Sequence, residues 1–125
     1  MNSTYIYFNS RDEFLRIDIS CVVYFQADGN YTRIVTMNKM QYVIHGNLLQ
    51  TQKVIEIAMK EKASCFVRIG KSHIINLNYL SHIGILKQRI VLSDNRTFAF
   101  QLEISREALK KLKQLMCKLS QTQKK

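Results

Sequence analysis

Short apolar runs separated by polar turns occupy the chain from Tyr5 to His45. Tyr5 to Phe8 forms one run, Asn9-Ser10-Arg11-Asp12 reads as a turn, and Phe14, Leu15 and Ile17 mark a second short strand. Asp18 to Ser20 link it to Cys21 to Ala27, a stretch rich in β-branched and aromatic residues. Asp28-Gly29-Asn30 follows as a strong hairpin signal, because Gly and Asn tolerate positive φ. Tyr31 to Met37 returns as a strand, with Tyr31, Arg33 and Val35 on one face and Thr32, Ile34 and Thr36 on the other. Asn38-Lys39 turns again, and Gln41 to His45 is a further strand, so the N-terminal half reads as a β-meander.

The period then changes. Asn47 stands as the N-cap of a helix, with Gln50 at the capping-box position. Leu48, Val54, Ile55, Ala58 and Met59 fall on one stripe at helical spacing, which suits a helix laid over a sheet. Strands resume at Cys65 to Ile69 and His73 to Ile75, with a bend expected at Gly70 between them, of the kind a bulge or a close backbone approach produces. Asn76 to Tyr79 is a turn or one helical turn, Leu80 to Leu86 and Arg89 to Leu92 are strands around Lys87-Gln88, and Thr97 to Phe100 closes after the turn Ser93 to Arg96. A last helix starts near its N-cap Ser105 and runs to about Leu119, with Leu109, Leu112, Leu115, Met116 and Leu119 as its apolar stripe. The fold class expected is mostly β, with one mid-chain and one C-terminal helix. One domain is expected over residues 1–119, followed by a polar tail over 120–125.

Composition supports a folded chain: of 125 residues 46% are hydrophobic and 22% charged, enough to bury a real core. Charge narrows the partner more than the fold. Nineteen Lys and Arg against nine Asp and Glu leave a formal charge of +10, which draws polyanions without saying which one. Cys21, Cys65 and Cys117 are odd in number and lack metal-ligand spacing, as reduced thiols in a reducing compartment would be. The segment Met1 to Tyr5 lacks the charged-then-apolar order of a signal peptide, and no apolar run approaches the roughly 20 residues of a membrane span. A cytoplasmic location without membrane contact is expected.

Enzyme signatures are missing: no phosphate-cradling Gly-rich loop, no nucleophile elbow, no paired-His zinc motif. His45, His73 and His82 are scattered. Neither catalysis nor a metal or other cofactor is expected. Three segments carry groups that meet DNA. In the turn Asp28 to Arg33, Asn30 suits a base edge, Tyr31 and Thr32 suit phosphate, and Arg33 suits either. Taken alone, this stretch reads more simply as a plain β-turn chosen for its dihedrals. From Arg68 to His73, Lys71 suits a guanine edge or a phosphate and Ser72 a phosphate, while Arg68 also fits a structural ion pair and His73 a half-buried position. At the start of the last helix, free amides beside Arg106 favour phosphate, and Lys110 shares a helical face with Arg106. Basic residues on a helix are also, very often, simply solvated.

One stretch is specific: Phe66-Val67-Arg68-Ile69-Gly70-Lys71-Ser72-His73-Ile74-Ile75-Asn76-Leu77. Together with Asp18-Ile19, the strand Val22 to Gln26 and the turn Gly29-Asn30-Tyr31, it resembles the LytTR DNA-binding domain, the output module of many bacterial two-component response regulators. The resemblance covers roughly Ile19 to Leu115. It implies an elongated, mostly β domain of small antiparallel sheets that inserts loops into successive major grooves of double-stranded DNA, often as tandem copies on direct repeats. By position it implies contacts around Asn30, Tyr31 and Thr32, at Lys71, and at an Arg after a Ser, which Ser105-Arg106 matches. The spacing from the turn Asp94-Asn95 to that pair is longer than the family's, and a gap-free placement falls near Gln101 and Leu102. Gly70 stands where the family usually has His. These residues hold no receiver domain, which leaves a free-standing module, a receiver that was removed and a receiver that lies elsewhere all open; a receiver or sensor in trans and a homodimer on DNA are the possible partners. A protein-interaction module that keeps the fold, and an RNA-binding version using Tyr31, Tyr42 or Tyr79, are the alternatives.

Overall fold

Residues 4–121 are described by the structure, a computed structural model, with Gln121 through its backbone alone. The end of the expected tail, residues 122–125, lies outside the described residues. The chain divides into two units, residues 1–79 and 80–125.

In the first unit, β1 (Tyr5–Asn9) and β2 (Phe14–Asp18) pair antiparallel as a two-stranded sheet. β3 (Val22–Asp28), β4 (Tyr31–Thr36) and β5 (Gln41–His45) form the expected meander. β6 (Phe66–Ile69) and β7 (His73–Asn76) join the other side of β3, giving a five-stranded sheet in the order β5-β4-β3-β7-β6. The expected bend at Gly70 is therefore a full reversal. Ile69 pairs with His73, and Gly70-Lys71-Ser72 is a three-residue hairpin loop in which Gly70 has φ +59°. Between β3 and β4 the loop is two residues, Gly29-Asn30, with positive φ at Gly29 only. Gly at the first central position of a two-residue loop matches the right-handed twist of its flanking strands.

The helix α1 (Leu48–Met59) begins as expected: the Asn47 side chain accepts from the Gln50 amide, and the Gln50 side chain accepts from the Asn47 amide. Its buried positions are Leu48, Thr51 and Ile55, with Val54 and Met59 half-buried, but Ala58 is exposed. Leu48 and Ile55 join Phe25, Ile34, Ile44, Phe66 and Ile74 in one core cluster beneath the helix. Burying a side chain such as Phe25 fully contributes about 1.5–3 kcal/mol. On the opposite face of the sheet Tyr24, Val35, His73 and Ile75 are buried as well. A 3₁₀ stretch, Lys60–Cys65, takes the place of the expected strand start at Cys65. Cys21 and Cys65 are free and half-buried, and Cys117 is free and exposed.

In the second unit β8 (Leu80–Gly84), β9 (Arg89–Ser93) and β10 (Ala99–Glu103) form a three-stranded antiparallel sheet in the order β10-β9-β8. β8 stops at Gly84, short of the expected Leu86, because Ile85 to Gln88 turn: the Gln88 amide donates to the Ile85 carbonyl and Gln88 has φ +55°. β10 begins two residues later than the sequence suggests. The amides of Thr97 and Phe98 donate to the Asp94 carboxylate and are lost to the ladder. The helix α2 (Arg106–Gln121) packs Leu109 and Leu112 inward, leaves Leu115 and Met116 half-buried and Leu119 exposed, and runs about two residues past the expected end.

Candidate nucleic-acid interface

Strand register decides which candidate residues meet. β3 pairs with β7 through Gln26 and His73, and one step further the Ala27 amide donates to the Ser72 carbonyl at 2.8 Å. This places the Gly29-Asn30 loop and the Gly70-Lys71-Ser72 loop at one end of the five-stranded sheet, though forty residues separate them in sequence. Asn30, Tyr31, Arg68, Lys71 and Ser72 are all exposed there. A third corner joins them. Tyr31 pairs with His45, their rings meet edge-on at 5.4 Å, and the Gly46 amide donates to the Asn30 carbonyl. His45 thus belongs to the same end, a neighbour that only the β4–β5 register reveals.

Two candidates point inward instead. Thr32 is fully buried. Its hydroxyl donates to the Gly46 carbonyl and accepts from Thr51, which ties the hairpin to the start of α1. His73 is 7% exposed, with its ring 6.1 Å from that of Tyr24, and burial pushes its imidazole pKa below the ordinary value, so the neutral form is favoured. Both residues anchor the loops rather than meet solvent. Their positions follow from the strand period: Thr32 shares the inner face of β4 with Ile34 and Thr36, and His73 the buried face opposite it with Ile75.

The arginines differ from one another. Arg33 is half-buried and engaged: one Nη donates to Asp28 at 2.6 Å and the other to Gln41 at 3.1 Å. Arg68 is exposed, and its guanidinium lies 3.5 Å from the Lys71 carbonyl, a long bond across the loop it flanks. The Lys71 ammonium has no hydrogen-bond or ion-pair partner among the described residues. Asn76, the last polar residue of the stretch Phe66 to Leu77, is 1% exposed and bonds the Val22 carbonyl, so it joins β7 to β3.

In the second unit Ser105 caps α2 by accepting from the Ala108 amide. Arg106 and Lys110, four residues apart, stand exposed on one face of that helix. The Ile104 amide donates to the Gln88 carbonyl, which brings the β8–β9 turn beside the start of α2 and adds exposed Lys87 to that end of the unit. No signal in the sequence pairs Lys87 with Arg106. Among the described residues no group of three His, Cys, Asp or Glu side chains could hold a metal ion, and no helix is long and apolar enough to cross a membrane.

A small-sheet β scaffold that offers cationic and amide side chains on loops defines a module for binding a polyanion. The family model of the LytTr DNA-binding domain matches residues 12–117, and the chain belongs to that family. It is 28% identical over 100 residues to the heme-containing CO-sensing transcriptional regulator RcoM 2 of Paraburkholderia xenovorans (strain LB400), covering 80% of this chain and 35% of that protein. It is 26% identical over 106 residues to RcoM 1 of the same organism, covering 85% and 37%. The chain therefore spans little more than a third of these curated relatives. A solved LytTr DNA-binding domain from Bacillus cereus shares the fold, with a TM-score of 0.61 over 92% of this chain and 98% of that one, at 19% identity. Membership makes this chain a DNA-binding domain of the kind that transcription regulators carry.

Proposed function

We propose that the chain is a transcription regulator that recognises a particular double-stranded DNA sequence through the major groove. On this reading the loops at Asn30-Tyr31 and Gly70-Lys71-Ser72 enter the groove. Arg68 and Ser72 flank them, and Arg106 with Lys110 meets the backbone. The observation that carries the proposal is the β3–β7 register, which sets two exposed polar loops side by side on a rigid sheet end. Asn suits a bidentate contact with adenine and Lys a contact with guanine, each good pair discriminating by about 1–3 kcal/mol. The reading extends to direct repeats occupied by two copies, to a receiver or sensor protein acting in trans, and to a bacterial cytoplasmic setting.

RNA fits less well. Single-stranded bases need exposed aromatic platforms. Tyr31 is exposed, but Tyr42 and Tyr79 are half-buried, and the Tyr79 hydroxyl donates to the Ser20 carbonyl.

The test is selection of bound sequences from a random duplex pool at physiological salt, followed by gel shifts of the winner against single-stranded DNA and RNA. A recovered repeat with spacing near one helical turn, preferred over both single strands, is expected. Lys71→Ala should then weaken the selected duplex by about five- to hundredfold, the weight of one base contact, and a scrambled duplex much less. Equal losses on both duplexes would reduce Lys71 to a phosphate contact. A pool that enriches nothing would end the sequence-specific reading and leave the protein-interaction alternative.

A further inference from the structure

We infer that Arg33 and Asp28 act as a positioning clamp for the Gly29-Asn30 loop, not as two more contacts to DNA. The inference rests on the DNA-reading proposal above. Arg33 stands on β4, opposite Gln26 of β3 and Val43 of β5, and Asp28 closes β3 opposite Tyr31. The 2.6 Å ion pair from Arg33 to Asp28 therefore runs diagonally across the hairpin to the residue that enters the loop. The second bond, to Gln41, reaches the far end of β5. One planar guanidinium thus ties three adjacent strands next to the loop that presents Asn30. Only the fork geometry of arginine supplies two such bonds in fixed directions; a lysine ammonium on the same backbone is a single point charge.

Charge gives the same assignment. Asp28 is a carboxylate at a sheet end that carries Lys71, Arg68 and His45. Unpaired, it would repel phosphate. Held by Arg33 it is neutralised, and what it contributes is the position of the chain just before Gly29. That residue must keep its φ of +62°, and nothing lies within 4 Å of where a Cβ would stand on it, so packing does not hold the loop tip. The side chains of Arg33 and Asp28 are 36% and 50% exposed, so the pair adds little to global stability, as exposed pairs generally do. Its effect falls on local geometry, where small displacements of a binding group matter most.

The experiment uses the full chain, the duplex recovered by selection, and a scrambled duplex of the same composition, with binding measured between 50 and 200 mM salt. Arg33→Lys keeps the charge and removes the fork; Asp28→Asn removes a negative charge at constant shape. The clamp predicts that each variant binds the selected duplex about five- to tenfold more weakly, as when one base contact is loosened. In Arg33→Lys the scrambled duplex and the salt slope should stay at wild-type values, and in Asp28→Asn the preference for the selected over the scrambled duplex should fall by the same factor. If Arg33 instead bound phosphate and Asp28 merely held it back, Arg33→Lys would bind like wild type and Asp28→Asn would bind both duplexes more tightly, and the clamp is then overturned. Should no duplex be selected, the DNA reading fails by itself, and amide exchange decides the clamp. Faster exchange at Tyr31 and Gly46, whose amide donates to the Asn30 carbonyl, in both variants, with the β7 amides unchanged, upholds it. Unchanged exchange at those two residues removes it.

Discussion

Replacing Asn76 by Ala separates scaffold from contact within the stretch Phe66 to Leu77. Its side-chain amide donates to the Val22 carbonyl at 2.9 Å, and its carbonyl oxygen accepts from the Asn78 amide at 3.0 Å, both in a position 1% exposed. Two neutral hydrogen bonds contribute about 0.5–1.5 kcal/mol each, and a buried group stripped of its partner costs about 1–3 kcal/mol. Val22 is itself fully buried, so its carbonyl has poor access to water. Asn76→Ala should therefore lower stability by about 2–4 kcal/mol. Urea unfolding followed by circular dichroism reads this as a shift of the midpoint at constant slope; with slopes of about 1–3 kcal/mol per molar, the shift is on the order of 1–2 M. Measured well below the unfolding transition, the variant should keep the wild-type salt slope for duplex DNA. A loss under about 1 kcal/mol would mean that the Val22 carbonyl finds water or another donor, and the tie between β7 and β3 would not be what fixes the two loops together.

Gly70→Ala forces a Cβ into φ +59°, at a cost on the order of 1 kcal/mol, and should weaken the selected duplex more than the scrambled one, while Gly70→Asn, better tolerated in that region, should retain more binding. Stability should also fall with acid in two stages that thermal melts at pH 7, 5 and 3 separate. The depressed pKa of His73, caused by burial, means that the unfolded chain binds the proton first, so its contribution is full above the ordinary imidazole value near 6.5 and declines as pH falls below it. The Asp94 carboxyl is held well below the usual carboxylate range, chiefly by the Thr97 hydroxyl and then by the amides of Arg96, Thr97 and Phe98, so its contribution is full above about pH 4 and lost only in stronger acid. A melting temperature flat from pH 7 to 5 in wild type, or a decline that survives in His73→Gln, would contradict the first stage.

The elements with local signals were legible: the Gly29-Asn30 loop, the Asn47-Gln50 capping box, the Ser105 cap and the ten strands with their approximate bounds. Local chemistry fixes each of these. The pairing of β7 with β3 was not legible, because it joins residues about fifty apart and no local preference records it. The resemblance picks out the stretch from Phe66 to Leu77 but not its division. Arg68, Lys71 and Ser72 face out while His73 and Asn76 face in, a split that only the position of the loop between paired strands decides. Thr32 shows the converse. Alternation along β4 already put it with Ile34 and Thr36, so its burial could have been read from period alone. At Asp94 the side chain outcompetes the ladder for two amides, and a strand start read from β propensity misses that competition.

The same anchors bear on how such an interface can be selective. The exposed stretches Asn30-Tyr31 and Lys71-Ser72 are each followed by a buried polar residue: Thr32, whose hydroxyl bonds Gly46 and Thr51, and His73, whose ring lies against Tyr24. Strand alternation makes this arrangement natural, since a residue presented outward has neighbours directed inward. Side chains already held in place lose little freedom on binding, whereas each long mobile side chain that must be ordered costs about 0.5–1.5 kcal/mol. On the proposed reading, Asn30 is short and stands on a two-residue loop braced by Arg33 and by the Gly46–Asn30 backbone bond. Lys71 is long and its ammonium is unengaged. The short amide on its braced backbone then discriminates among bases at little ordering cost, whereas the long ammonium loses part of what its base contact gains to the ordering of its side chain.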